Sequence, residues 1–223
     1  MARDRVLTDV ELGEVWRAAG ALGAPFAPCL RILILTLQRR DEVAGMRWNE
    51  LAPDLSTWTV PAERSKNGKA HIVHLAEPAR AILRAVPRVG TAGLVFTTTG
   101  RTPLSGFSGA KRRLDMAIAA ERAAAAARTG DGSVPEPIVP WRLHDLRRTG
   151  VTALARLGFP PHVCDRLLNH AEGAIRGVAA VYQRHEFLPE REAALNAWAA
   201  HVLVVGEGAP NARNVVALAA RRR

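Results

Sequence analysis

The chain has one tyrosine, Tyr182, set in Val-Tyr-Gln-Arg-His near the C-terminus. Chemistry that uses a phenol nucleophile therefore has a single address. A phenol ionises only near pH ~10, so it needs cations around the group it attacks. Upstream, the sequence supplies Arg39, Lys66, His144, Arg147 and His170. His144 and Arg147 stand three apart in Trp-Arg-Leu-His-Asp-Leu-Arg-Arg-Thr, a spacing that puts both on one face of a helix. Leu143 and Leu146 in the same string face the core, so this His and Arg border a core seam. A cation buried there needs an anionic partner.

Each residue also has an ordinary structural reading. Asp145 can pair at a surface helix start, with His144 a plain hydrogen-bond donor. Arg39 and Arg40 end an apolar helix, where the dipole favours cations. Lys66 precedes a hairpin turn, and His170 ends a short helix as Leu-Leu-Asn-His. Tyr182 can be a core aromatic with its hydroxyl at the surface. Singly these signals are weak, and their order along the chain carries the information.

The elements that must position them are legible in outline. Thr8-Asp9-Val10-Glu11 reads as a capping box opening a helix to about residue 19. A buried helix follows Pro25, carries Cys29 through Leu37 and ends in Gln-Arg-Arg-Asp-Glu; a short helix at 41–46 comes next. Residues 56–60 and 71–75 alternate as two strands, with Asn67-Gly68 signalling a tight turn. A short helix at 78–86, a brief strand at 94–97 and a long Ala-rich basic helix at 106–127, capped by Ser105, come next. Three prolines and two glycines make 129–140 a loop. Helices are predicted at 144–157, 161–169, 174–185 and 189–200. A short apolar strand signal and a turn follow in 202–223.

Composition narrows the class. Hydrophobic residues make up 48% of 223, enough for one sizeable core. The net charge of +10 points to a polyanionic partner, nucleic acid first and an acidic membrane surface second. A solvated basic surface is the plain alternative. Cys29 and Cys164 are too few for a disulfide framework and read as buried free thiols. No signal peptide opens the chain, and the longest apolar run, 32–37, is too short to cross a bilayer. The expectation is a soluble cytoplasmic protein.

The ordered set resembles the tyrosine recombinases, and five boxes carry the likeness. Thr-Leu-Gln-Arg39-Arg-Asp-Glu42-Val with Met46-Arg-Trp48 is similar to the first arginine box of phage-type integrases. Ser65-Lys66-Asn-Gly-Lys69 through Leu75 resembles their hairpin segment, which puts the lysine at Lys66 rather than Lys69. His144-Asp-Leu-Arg147-Arg-Thr resembles the family's most recognisable string. Leu167-Leu-Asn-His170 and Val181-Tyr182-Gln-Arg-His complete the set. The likeness runs from about residue 8 to 200. Two positions depart from it: Leu37 and Asn169 stand where the family usually has glycine.

The resemblance implies a mainly α fold with a small antiparallel β-sheet (α+β). It implies a catalytic domain over 1–200 and a tail over 201–223 that is passed to a neighbouring protomer. Residues 202–205 or 214–218 are the candidate exchange segments, against a strand or tail packed in cis. The expectation is that no core-binding or arm-binding domain accompanies it in this chain, and that DNA binding is therefore weak and salt-sensitive. It further implies strand cleavage by transesterification of double-stranded DNA in a tetramer, without metal, ATP or other cofactor. Tyr182 is the nucleophile, Arg39 and Arg147 clamp the phosphate, and Lys66 is the general acid. His144 and His170 bind the same oxygens, with His144 also a base. Lys111, Arg112 and Arg113 on the long basic helix are candidate DNA-backbone contacts. Two other readings are a type IB topoisomerase and a non-catalytic DNA-binding relic.

Overall fold

Thr8 opens the first helix by the reciprocal pattern its sequence signals. Its hydroxyl accepts the Glu11 N–H at 3.2 Å, and the Glu11 carboxylate accepts the Thr8 N–H at 2.8 Å. In the computed structural model, which describes residues 4–129, 134–170 and 186–207, this helix is α1, Asp9–Ala21. Helix α2, Phe26–Thr36, buries Cys29, Leu30 and Ile32 to Leu35. An apolar run this wide has no solvent face to offer, so α2 lies at the centre of the molecule.

Leu37 ends α2 in a left-handed conformation, φ 57°, and Arg39 then caps a separate short helix α3, Arg40–Ala44. This corrects the placement of Arg39 at the end of the long apolar helix. It caps the next helix instead. The break comes from a buried leucine, a residue that does not announce a helix end.

Strands β1, Thr57–Val60, and β2, His71–His74, pair antiparallel with Thr57 opposite His74 and Val60 opposite His71. Trp58, Val60, His71 and Val73 turn inward. The connection keeps the length that the expected strand bounds leave, with the Asn67-Gly68 turn inside it. It spans residues 61–70, with a 3-10 turn at Ala62–Arg64 and then a turn closed by the Gly68 N–H on the Ser65 carbonyl, 3.0 Å. Lys66 and Asn67 are the two central residues of that turn. The strand expected at 94–97 reduces to a single bridge between Leu94 and Arg47.

Helix α4 is Glu77–Ala85, and α5, the long basic helix, is Phe107–Thr129. The first backbone bonds of α5 reach the Gly106 carbonyl, so the cap falls one residue beyond Ser105. Helices α6, Asp145–Arg156, and α7, Pro161–Leu167, follow, and both cysteines are buried and free. The predicted helix at 174–185 lies outside the described residues.

The final helix, α8, is Leu188–Glu207. It passes through residue 200 without a break, so the boundary expected there falls inside a helix. Residues 202–205 are neither strand nor loose tail: they lie in cis along α1. Two glycines permit that approach. A Cβ on Gly13 would meet the Val205 carbonyl at 2.2 Å, and one on Gly206 would meet the Trp16 indole at 2.2 Å. Residues 214–218 lie outside the described part. No helix among the described residues is long and apolar enough to cross a membrane.

Candidate active site

Arg39, Lys66, His144 and Arg147, separated by more than a hundred residues in sequence, line one open cleft of about 680 Å³. The α2–α3 junction supplies Arg39, the β1–β2 connection supplies Lys66, and the start of α6 supplies His144 and Arg147. His144 sits at the cap of α6 rather than inside the helix. His144 and Arg147 also line a second hollow of about 530 Å³, whose wall includes His170. Five of the six sequence-derived residues thus surround two adjoining hollows. Tyr182 lies outside the described residues.

Arg147 is 4% exposed. One guanidinium nitrogen donates to the Leu37 carbonyl, and the other donates to the Leu168 carbonyl at 2.9 Å. Burial first, and then the neighbouring Arg39, hold this guanidinium below its ordinary value, at about 10, while Glu42 opposes the shift. It remains charged at neutral pH. A buried cation whose bonded partners are neutral carbonyls is a ready receptor for an oxyanion.

Arg39 is fixed by Glu42. The carboxylate accepts the Arg39 backbone N–H at 3.0 Å and its guanidinium at 3.0 Å. Three-residue spacing at a helix start is the signal for this contact, and it was present in Arg39-Arg-Asp-Glu42. The second guanidinium nitrogen of Arg39 reaches the Asn169 carbonyl at 3.4 Å. Arg40, by contrast, turns to Asp41 at 2.7 Å.

Both histidines are held below their ordinary value, burial being the largest cause in each. For His144 the next causes are Arg147 and Arg148. For His170 the hydrogen bond its Nδ1 donates to the Asp165 carboxylate, 3.3 Å away, opposes the shift, and Arg147 adds to it. Both imidazoles are therefore neutral near pH 7, able to take a proton or donate one N–H. Asp145, at 0% exposed, is buried rather than surface-paired: it accepts the Arg142 N–H at 2.8 Å and Arg148 at 2.7 Å.

Behind the cleft lies a layer of polar residues that the sequence did not single out. The Leu167 carbonyl accepts Gln38 at 3.1 Å and His71 at 3.0 Å. Because His71 Nε2 donates there, its Nδ1 is free to accept Arg191 from α8 at 3.3 Å. Arg191 also donates to the Ile72 carbonyl. Burial, then Arg191, push His71 down to about 3, so it stays neutral and serves as a strut joining β2, α7 and α8. A histidine and an arginine 120 residues apart give no local sequence signal.

The three candidates on α5 separate. Lys111 lines the cleft, paired with Asp115 at 2.6 Å and lying 4.2 Å from the Trp141 ring centre. Arg113 covers Phe26 at 5.0 Å. Arg112 is exposed.

Comparison with known proteins agrees with this geometry. The phage integrase family matches residues 7–187. The prophage integrase IntA of Escherichia coli (strain K12) is 32% identical over 176 residues, 78% of this chain but 38% of that protein's length. A lambda integrase tetramer bound to a Holliday junction superposes with a TM-score of 0.54 at 18% identity, covering 79% of this chain and 50% of that one. The lambda integrase catalytic core superposes with a TM-score of 0.51 at 19% identity, over 78% of this chain and 96% of that one. These two share the mainly helical fold. The family match takes in both arginine boxes, the Lys66 turn and Tyr182, and this chain belongs to the phage integrase family.

Proposed function

We propose that this chain is the catalytic part of a site-specific DNA recombinase that cuts and rejoins strands through Tyr182. The observation that carries the reading is the gathering of Arg39, Lys66, His144 and Arg147 around one cleft. The chain spans 38% of the curated relative's length and half of the lambda integrase chain in the tetramer, so the parent activity is inferred for it.

Arg39 and Arg147 grip the two non-bridging oxygens of the scissile phosphate, where charge builds as the phosphorus becomes five-coordinate. His144, neutral at neutral pH, accepts the phenol proton as the Tyr182 oxygen bonds to phosphorus. The bond from phosphorus to the 5′-oxygen breaks, and Lys66 hands that oxygen a proton. The product is a 3′-phosphotyrosyl link and a free 5′-hydroxyl. No bond energy is lost to water, so another 5′-hydroxyl can reverse the step without ATP. His170 adds a hydrogen bond to the phosphate.

The DNA duplex, held mainly by its backbone, and a tetrameric assembly are the partners this reading implies. The lambda integrase bound to a Holliday junction is such a tetramer. Integration or excision of a mobile element is the biological setting, as the name of the prophage relative suggests. The catalytic domain takes in residues up to the end of α8, and residues beyond it are the remaining candidates for exchange between protomers.

The positive charge at the phosphate comes from Arg39, Arg147 and Lys66, so cleavage is expected to proceed in EDTA. The test uses a pool of nicked duplexes of randomised sequence and scores SDS-resistant adducts. Adducts formed in EDTA support the reading, whereas adducts that appear only on adding Mg²⁺ overturn it. Relaxation of supercoils with no strand exchange would instead favour a topoisomerase.

A further inference from the structure

The Lys66 turn is tied to the segment before His170 by a closed ring of side chains. The Ser65 hydroxyl donates to Asn67 Oδ1 at 3.1 Å. The Asn67 amide donates to Asn169 Oδ1 at 3.0 Å and to the Asn169 carbonyl at 2.6 Å. The Asn169 amide donates back to the Ser65 hydroxyl at 2.9 Å. Each group gives one hydrogen bond and accepts one around the ring; reversing the Asn169 amide would set donor against donor, and reversing the Asn67 amide would set acceptor against acceptor.

Asn169 has φ 51°, in the left-handed region. Glycine adopts that conformation freely, and asparagine is among the few side chains that tolerate it. Backbone geometry alone therefore leaves glycine as the natural occupant. What asparagine adds is the amide that reaches Ser65 and Asn67, the residues on either side of Lys66. The Asn169 carbonyl also receives Arg39 at 3.4 Å, and the next residue is His170.

We infer that Asn169 is a positioning residue: it latches the turn that carries Lys66 against the Arg39 and His170 segments, aiming the ammonium at the leaving oxygen. Lys66 itself is exposed on this turn. An exposed lysine on a ten-residue connection samples many positions, and a general acid works only within hydrogen-bond reach of its oxygen. The latch narrows that search before DNA arrives. The inference rests on the recombinase reading for its chemical consequence, but the latch itself can be measured without DNA.

The variant is Asn169→Gly, which suits the left-handed backbone and removes only the amide. Two duplexes recovered as adducts of the unsubstituted chain serve as substrate, one with the ordinary 5′-oxygen at the scissile phosphate and one with sulfur in its place. A thiolate leaves without help from an acid. Asn169→Gly is expected to slow cleavage of the oxygen substrate by about ten- to a hundredfold, and to leave the sulfur substrate within about twofold, a margin set by ordinary context dependence. Equal slowing of both substrates, or of neither, overturns the proposal. Amide hydrogen exchange of residues 65–70 in the DNA-free chain is expected to accelerate in Asn169→Gly and likewise in Asn67→Ala. Unchanged exchange there overturns the latch. If the unsubstituted chain captures no DNA, the recombinase reading falls, and the exchange measurement still decides whether the latch exists.

Discussion

At the scale of single residues, the cleft shows how burial sets the charge states its chemistry needs. Arg147 is buried yet charged, kept so by two backbone carbonyls; His144 is neutral because burial and two guanidinium groups disfavour its cation. A base works in its deprotonated form. With its value held below the ordinary 6.5, His144 is deprotonated through the neutral range, and on the recombinase reading the rate is expected to fall as pH drops through that lowered value. The kcat/KM profile for cleavage is therefore expected to keep its acid limb below pH 6.5. His144→Gln, which can still hydrogen-bond but cannot take the proton, should lower the rate on the order of a hundredfold and abolish that limb. A limb unchanged in His144→Gln would assign the titration to another group. The types and order of Arg39, Lys66, His144, Arg147 and His170 were readable from the sequence because the chemistry restricts which side chains can serve. Their supports, Glu42 excepted, were not, since Gln38, His71, Asn169 and Arg191 act on partners far away in the chain.

At the scale of elements, the α2–α3 junction shows why the expected break between two helices falls at Leu37, before Arg39 rather than after it. Leu37 takes the left-handed conformation that glycine usually fills, at a cost of about 1–2 kcal/mol. Its side chain is fully buried, which stabilises by about 1.5–3 kcal/mol. Burial wins, and the leucine packs over Gly150 of α6, where an added Cβ would meet its methyl groups at 2.4 Å. The same residue presents its carbonyl to Arg147. A hydrophobic leucine reads as more helix, so the sequence sets the break a few residues late and puts Arg39 on the wrong side of it. Gly150→Ala is expected to destabilise by about 1–3 kcal/mol through overpacking. Leu37→Gly should destabilise on the order of 1–3 kcal/mol, since the lost packing exceeds the relieved strain. Urea unfolding checks both, and an increase in stability in either would refute the packing argument. The capping box of α1 and the apolar sweep of α2 were legible because each is written in adjacent residues. The two strands were legible by their alternation, whereas the path of the chain between them was not, because Asn67-Gly68 marks only a local turn within it.

At the scale of the whole molecule, α8 closing on α1 and the His71–Arg191 strut hold the cleft's separate walls together, while the net charge of +10 suits the proposed DNA partner. Of the three basic residues singled out on α5, Arg112 and Arg113 are both exposed, but Arg113 and the half-buried Lys111 also lie over aromatic rings. Arg112→Ala is expected to weaken binding to matched and unrelated duplexes alike and to reduce the slope of log K against log salt by about one. A loss confined to one sequence would make Arg112 a base reader instead. If this assembly of cations serves Tyr182, covalent capture will show it. The adduct formed on nicked DNA is digested with protease and nuclease, and the nucleotide-bearing peptide is sequenced by mass spectrometry. The modification is expected on Tyr182, joined to a 3′-phosphate, with no adduct from Tyr182→Phe. An adduct on any other residue, or one that survives in Tyr182→Phe, would contradict it.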